Sequence, residues 1–168
     1  MNVIRRFPIL SLVALILSAI PAPAADIPKD ATLAYVGTYT NAQSKGIYAF
    51  ALQTPNQADS QTVALLPLGL AAQVTSPSFL AVDLKHRFLF AVNEVDKTAG
   101  QVGGGVSSFS IDPQTGMLTP INQQSSMGKG PCHIVLDNSG KNLIVANYGS
   151  GSVAVYQVSP DGRLSEAT

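Results

Sequence analysis

The stretch 77–93 recurs in altered letters at 131–147: Pro77, Asp83 and Asn93 pair with Pro131, Asp137 and Asn147 at one constant offset of 54 residues. A repeat of about 50 residues marks a solenoid, a propeller or an array, in which each unit is one supersecondary element that buries its apolar face only against its neighbours. The chain is therefore read as a series of equivalent units.

Each unit consists of short β-branched and aromatic runs separated by turn residues, with no long stretch of helical period. In the third round the runs are 133–136, 142–147 and 152–158, with an Asp137-Asn138-Ser139-Gly140 turn between the first two. The second round repeats them as 79–82, 87–92 and 105–111, and a fainter copy opens with 33–37 and 46–52. Asp112-Pro113 and Ser159-Pro160 then set a turn, and a less regular fourth segment follows. The fold class expected is all-β. Four antiparallel strands per unit make the blade of a β-propeller, and about three blades fit the residues available. A sandwich, the competing all-β fold, gives no reason for Pro, Asp and Asn to recur in step. Three blades do not close a ring, so 25–168 reads as the incomplete N-terminal part of a longer propeller domain.

Residues 1–24 read as a signal peptide: Arg5 and Arg6, an apolar run over 9–20, then the small-residue site Ala22-Pro23-Ala24. The apolar run is short for a bilayer span. The expected location is exported, periplasmic or secreted, with an uncleaved anchor as the competing reading; Arg5-Arg6 lacks the rest of a twin-arginine motif. Without those two arginines, 8 basic residues stand against 10 acidic ones, a net charge near −2. That surface gives no electrostatic reason to bind nucleic acid or, after signal cleavage, a membrane. The single cysteine, Cys132, excludes an intramolecular disulfide and reads as a small buried hydrophobe ahead of a reactive thiol.

Successive antiparallel strands reverse, so the loop entering the first strand of a blade and the loop joining its second and third share one end. Those loops hold Gly37-Thr38-Tyr39-Thr40-Asn41, Ser76-Pro77-Ser78, Asn93-Glu94, Gly130-Pro131-Cys132-His133 and Asn147-Tyr148-Gly149-Ser150-Gly151. His133, at the start of a first strand, would point into the mouth of the central channel, where ligands collect. It could serve as a general base, a polar clamp or a hydrogen-bonded structural histidine. Glu94 could activate a water or simply be solvated. Asp83, Asp112, Asp137 and Asp161 are read as turn caps. Gly103-Gly104-Gly105 reads as a flexible tip, since neither a helix nor a phosphate-loop lysine follows it. No nucleophile elbow, zinc spacing or EF-hand loop is present, and no metal or cofactor is expected.

Tyr35-Val36-Gly37-Thr38-Tyr39-Thr40, Gly46-Ile47-Tyr48, Gly130-Pro131-Cys132-His133 and Ala146-Asn147-Tyr148-Gly149-Ser150-Gly151-Ser152-Val153 resemble the lactonase family of seven-bladed propellers, which includes propeller-type 6-phosphogluconolactonases. The resemblance runs from about Leu33 to Leu164 and implies hydrolysis of a small-molecule sugar lactone, with a base to activate water and donors to hold the oxyanion. It also implies that the ionisable residues proposed for catalysis lie in later blades, so the catalytic residues here are unknown. His133, Asn93, Glu94, Asn147 and Tyr148 carry over as substrate-binding lining of the channel mouth. Export speaks for an unphosphorylated lactone. A non-catalytic exported propeller that binds a partner through the same face is the alternative, and the oligomeric state is open.

Overall fold

A computed structural model describes residues 27, 30–40, 43–53, 63–98 and 101–168. The stretch 1–24, expected to be a signal peptide, and Asn41 lie outside the described residues. The described strands run β1 (Ala31–Val36), β2 (Gly46–Gln53), β3 (Ala64–Gln73), β4 (Leu80–Val82), β5 (Phe88–Asn93), β6 (Lys97–Thr98), β7 (Gln101–Val102), β8 (Gly105–Ile111), β9 (Leu118–Ser125), β10 (Pro131–Leu136), β11 (Asn142–Asn147) and β12 (Ser152–Gln157). Among the described residues there is no helix, and every pairing is antiparallel.

Three sheets follow one another in chain order: β1-β2-β3, β4-β5-β8-β9 and β10-β11-β12, with β6 and β7 forming a small hairpin on the loop after β5. An isolated bridge from Val158 to Leu164 starts the return after β12. The sequence period maps directly onto this architecture. Asn93 ends β5 and Asn147 ends β11, so the 54-residue offset superposes second strand on second strand. Tyr35-Val36-Gly37 aligns with those same positions, which makes β1 a second strand and leaves it at the edge of its described sheet.

Alternation along β5 shows how the sheets stack. Side chains on a strand point to opposite faces in turn, and here Phe88, Phe90 and Val92 pack with Ile134, Leu143, Val145 and Tyr156 of the third sheet. Leu89 and Ala91 face the other way, onto Ile47, Ala49 and Ala71 of the first. The whole of β5 is buried for that reason, and its run Phe-Leu-Phe-Ala-Val shows none of the alternation expected of a half-exposed strand. In β11 only one described face is covered: Leu143 and Val145 are buried, whereas Ile144 is exposed. Each large apolar side chain so enclosed contributes about 1.5–3 kcal/mol.

The aspartate turns repeat with the period. Asp83 Oδ1 accepts the amides of Arg87 and Phe88 at 2.5 and 2.8 Å. Asp137 Oδ1 accepts those of Lys141 and Asn142 at 3.0 and 3.2 Å. Asp112 Oδ1 takes the Gln114 amide at 2.8 Å, and Asp161 takes the Ser159 hydroxyl and the Arg163 amide. All four close hairpins as caps.

One strand is added and one reading changes. The segment 64–73, to which the sequence reading gave no bounds, is a ten-residue strand. Pro67 and Gly69 disguise it; the ladder shifts register between Ala49 and Phe50, opposite those two residues, and an outer strand tolerates both. Gly103-Gly104-Gly105 is a packed crossing and not a flexible tip: all three are buried, and the Gly104 amide donates to Gly128 O at 2.8 Å. A Cβ at Gly104 would lie 2.2 Å from Pro131 Cδ, so only glycine lets the second sheet meet the third there.

Candidate functional site

Hydrogen bonds between loops fix one end of the sheets as a common surface. The Glu94 amide donates to Ser76 O at 2.9 Å and the Tyr148 amide to Gly130 O at 2.9 Å, tying each second-to-third loop to the loop that enters its own blade. His133 pairs with Ala146, one residue from Asn147, so His133 and Tyr148 emerge at the same end.

A carboxylate links two blades there. Tyr39 from the β1–β2 loop donates its hydroxyl to Glu94 Oε2 at 2.8 Å, and Ser78, just before β4, donates to the same oxygen at 2.5 Å. Below them Thr40 and Ser76 exchange a second set of bonds, in which the Ser76 amide donates to Thr40 Oγ1 at 3.1 Å. The Tyr39 phenol is pushed up from its ordinary pKa, first by its hydrogen bond to Glu94, then by desolvation and the nearby charge. Next along the rim, Phe79 and His133 lie ring against ring, with centroids 4.5 Å apart at 47°. Between them in sequence position, Cys132 sits at a bulge half-buried, and its thiol faces Ala146 O at 3.8 Å.

The five residues chosen from sequence separate into two groups. His133 is exposed, Glu94 is half-buried with its carboxylate at the rim, and Tyr148 is 87 % exposed. Asn93 and Asn147 turn inward, at 1 % and 2 % exposure. The Asn93 amide donates to Thr75 O at 2.8 Å while its oxygen accepts from Ser107 Oγ and Gln123 Nε2 at 2.8 and 2.9 Å. Asn147 repeats the donation, to Ser126 O at 2.9 Å and to Ser152 Oγ at 3.2 Å, and its Oδ1 is buried with no partner among the described residues. These two asparagines clasp the crossings that enter their blades, a buried amide being held where it can satisfy backbone groups.

The repeat assigns each sheet the same rim positions with different chemistry. Ser78, Phe79 and Glu94 of the second sheet correspond at the 54-residue offset to Cys132, His133 and Tyr148 of the third. Tyr39 and Ser78 lie in loops that the sequence placed at this end, and Phe79 opens the run 79–82 beside them, yet nothing local singled them out. The signal that could have found Tyr39 is the alignment of Tyr35-Val36-Gly37 on the other second strands.

At the opposite end a cleft of about 600 Å³ lies between the hairpin turns of the second and third sheets, lined by Lys85, Arg87, Lys141, Phe88 and Pro160 among others. It holds none of the residues chosen from sequence. Arg87 there is engaged already, 3.5 Å from Asp83 Oδ2 and over the Phe88 ring at 4.7 Å. Among the described residues no three His, Cys, Asp or Glu side chains gather to hold a metal ion.

The profile of a family described as "Lactonase, 7-bladed beta-propeller" matches residues 33–168. The chain belongs to this lactonase family. Among its relatives, a 6-phosphogluconolactonase of Bacillus subtilis is 38% identical over 132 residues, covering 79% of this chain and 35% of its own length. A 6-phosphogluconolactonase of Formosa agariphila is 30% identical over 133 residues, with the same two shares. Of solved structures, a putative 6-phosphogluconolactonase from Bacteroides fragilis aligns with TM-score 0.70 at 37% identity, covering 83% of this chain and 35% of the other. The periplasmic gluconolactonase of Pseudomonas aeruginosa aligns with TM-score 0.67 at 34% identity, covering 82% of this chain and 37% of the other. The chain thus spans about a third of the length of the relatives it matches. The all-β blades expected from the repeat are the blades of this family's propeller.

Proposed function

We propose that the protein is an exported lactonase that opens an unphosphorylated sugar lactone at the end of the propeller marked by Tyr39, Glu94 and His133. The observation that carries this reading is the coincidence of the family match over 33–168 with a polar rim built at corresponding positions of adjacent blades. In the reaction, water adds to the ring carbonyl carbon, the bond from that carbon to the ring oxygen breaks, and the ring oxygen takes a proton to become a hydroxyl of the open acid. This reading gives the side chains of 25–168 the work of binding and orientation, which converts a bimolecular encounter into a positioned one. His133, Glu94 and Tyr148 line the mouth, and Asn93 and Asn147 hold the loops that carry them. Export is supported by the order of charge, apolar run and small-residue site in 1–24, and a periplasmic gluconolactonase among the structural neighbours fits that location.

The protein expressed from its whole reading frame, incubated with glucono-1,5-lactone and with the 6-phosphate of that lactone, should release acid faster than buffer alone, and faster from the uncharged compound. Acid release no faster than the spontaneous rate from either compound would refute the enzymatic reading and leave a non-catalytic propeller.

A further inference from the structure

The rim has a chemistry of its own beyond marking the site. Glu94 already holds two hydroxyl donors, Tyr39 and Ser78, on a single oxygen, and a carboxylate offers about four acceptor positions in all. Each donating hydroxyl keeps its own lone pairs. Among the described residues no lysine or arginine pairs with Glu94. The cluster is consequently rich in acceptors, carries one negative charge and spans two blades, with Tyr39 61% exposed. Beside it the Phe79 ring, 41% exposed, and the His133 imidazole offer a tilted aromatic surface. A ligand suited to such a place donates hydrogen bonds from several hydroxyls, presents a C–H face to a ring and has no negative charge of its own.

Resting on the lactonase reading, we infer that Tyr39, Ser78 and Glu94, flanked by the Phe79 and His133 rings, form a subsite for the hydroxyls of a sugar lactone that selects uncharged polyhydroxylated rings over phosphorylated or unsubstituted ones. Glu94 accepts from ring hydroxyls, Tyr39 holds the carboxylate in place and accepts a further hydroxyl, and the rings carry the apolar face. Like charge disfavours a phosphate at this position. Tyr39 and Ser78 here are positioning and specificity residues; the subsite does not touch the carbonyl that reacts.

The test compares kcat/KM for glucono-1,5-lactone, its 6-phosphate and δ-valerolactone in the protein from the whole reading frame and in its Glu94→Gln and Tyr39→Phe variants. A hydrogen bond to a charged group is worth about tenfold or more in affinity. The preference for glucono-1,5-lactone over δ-valerolactone should therefore fall about tenfold in each variant, through KM, and Glu94→Gln should also narrow the gap to the 6-phosphate. Preference ratios unchanged in both variants, with a lowered melting temperature, would mean that the cluster only ties blades together and would overturn the inference. If no lactone is hydrolysed, the enzymatic reading fails separately, and calorimetric titration with 1,5-anhydro-D-glucitol, an uncharged polyhydroxylated ring, decides the subsite. Binding weakened about tenfold by Glu94→Gln or Tyr39→Phe would uphold it. Equal binding in all three proteins, or none in the wild type, would overturn it.

Discussion

Replacing the Asn93 amide nitrogen by oxygen, in Asn93→Asp, alters one atom at a deeply enclosed polar point of the fold. The side chain is 1 % exposed and keeps its shape and its acceptor role toward Ser107 and Gln123. What is lost is the donor to Thr75 O, which stands 2.8 Å away and would face a carboxylate oxygen. An unsatisfied buried carbonyl costs about 1–3 kcal/mol, and a buried charge with no cation raises the total to about 3–5 kcal/mol at neutral pH. The new carboxyl can restore the bond by taking a proton, so its pKa in the folded state is raised above the unfolded value of about 3.9. A raised carboxyl pKa penalises folding only above the unfolded value, and the penalty grows with pH until the folded value is passed. Urea unfolding followed by circular dichroism at neutral pH and near pH 4 should thus show a loss of about 4 kcal/mol shrinking to about 1 kcal/mol. A variant within about 0.5 kcal/mol of wild type at neutral pH would refute the clasp.

Gly104→Ala places a methyl 2.2 Å from Pro131 Cδ and 2.8 Å from Asn93 O, and should cost about 1–3 kcal/mol in the same unfolding assay, whereas Gly140→Ala, which meets nothing within 4 Å, should cost about 1 kcal/mol through its φ of +67° alone. The Asp137 carboxyl is held down at about 2, chiefly by the Asn142 side chain and then by Ser139 and the turn amides. Its stabilisation is complete above the unfolded value near 3.9 and lost as pH falls through about 2. Carboxyl NMR should give that midpoint, and Asn142→Ala should move it upward; an ordinary midpoint in the wild type would contradict the turn geometry. Leu143→Ala, at a position with 0% exposure in the interface of the second and third sheets, should destabilise by about 2–5 kcal/mol, and a loss below about 1 kcal/mol would argue against that packing.

What the sequence made legible was whatever repeats locally. The runs 142–147 and 105–111 coincide with β11 and β8 at both ends, because Asn, Gly and Asp bound them and β-branched residues fill them. The same repetition drew attention to Asn93 and Asn147, although it reflects their clasping of the crossings and gave no hint of their burial. β3 escaped because Pro67 and Gly69 break the alternation on which strand recognition depends. The triglycine misled because small residues mark both loose tips and tight crossings, and only the neighbour, Pro131, distinguishes the two. At the rim, Tyr39 and Glu94 are 55 residues apart and meet only because two blades stack. A contact made between equivalent units leaves no mark in either unit alone. Glu94 and His133 were visible as ionisable residues in the right loops; the hydroxyls and the ring that give them surroundings were not.

The most direct measurement of where this propeller receives a sugar is a crystal structure of the protein from its whole reading frame soaked with 1,5-anhydro-D-glucitol, an uncharged ring. The account predicts the sugar at the rim, with hydroxyls within hydrogen-bond reach of Glu94 and Tyr39 and its carbon face against Phe79 or His133. Density instead in the cleft between Lys85, Arg87 and Lys141 at the other end, with the rim empty, would contradict it.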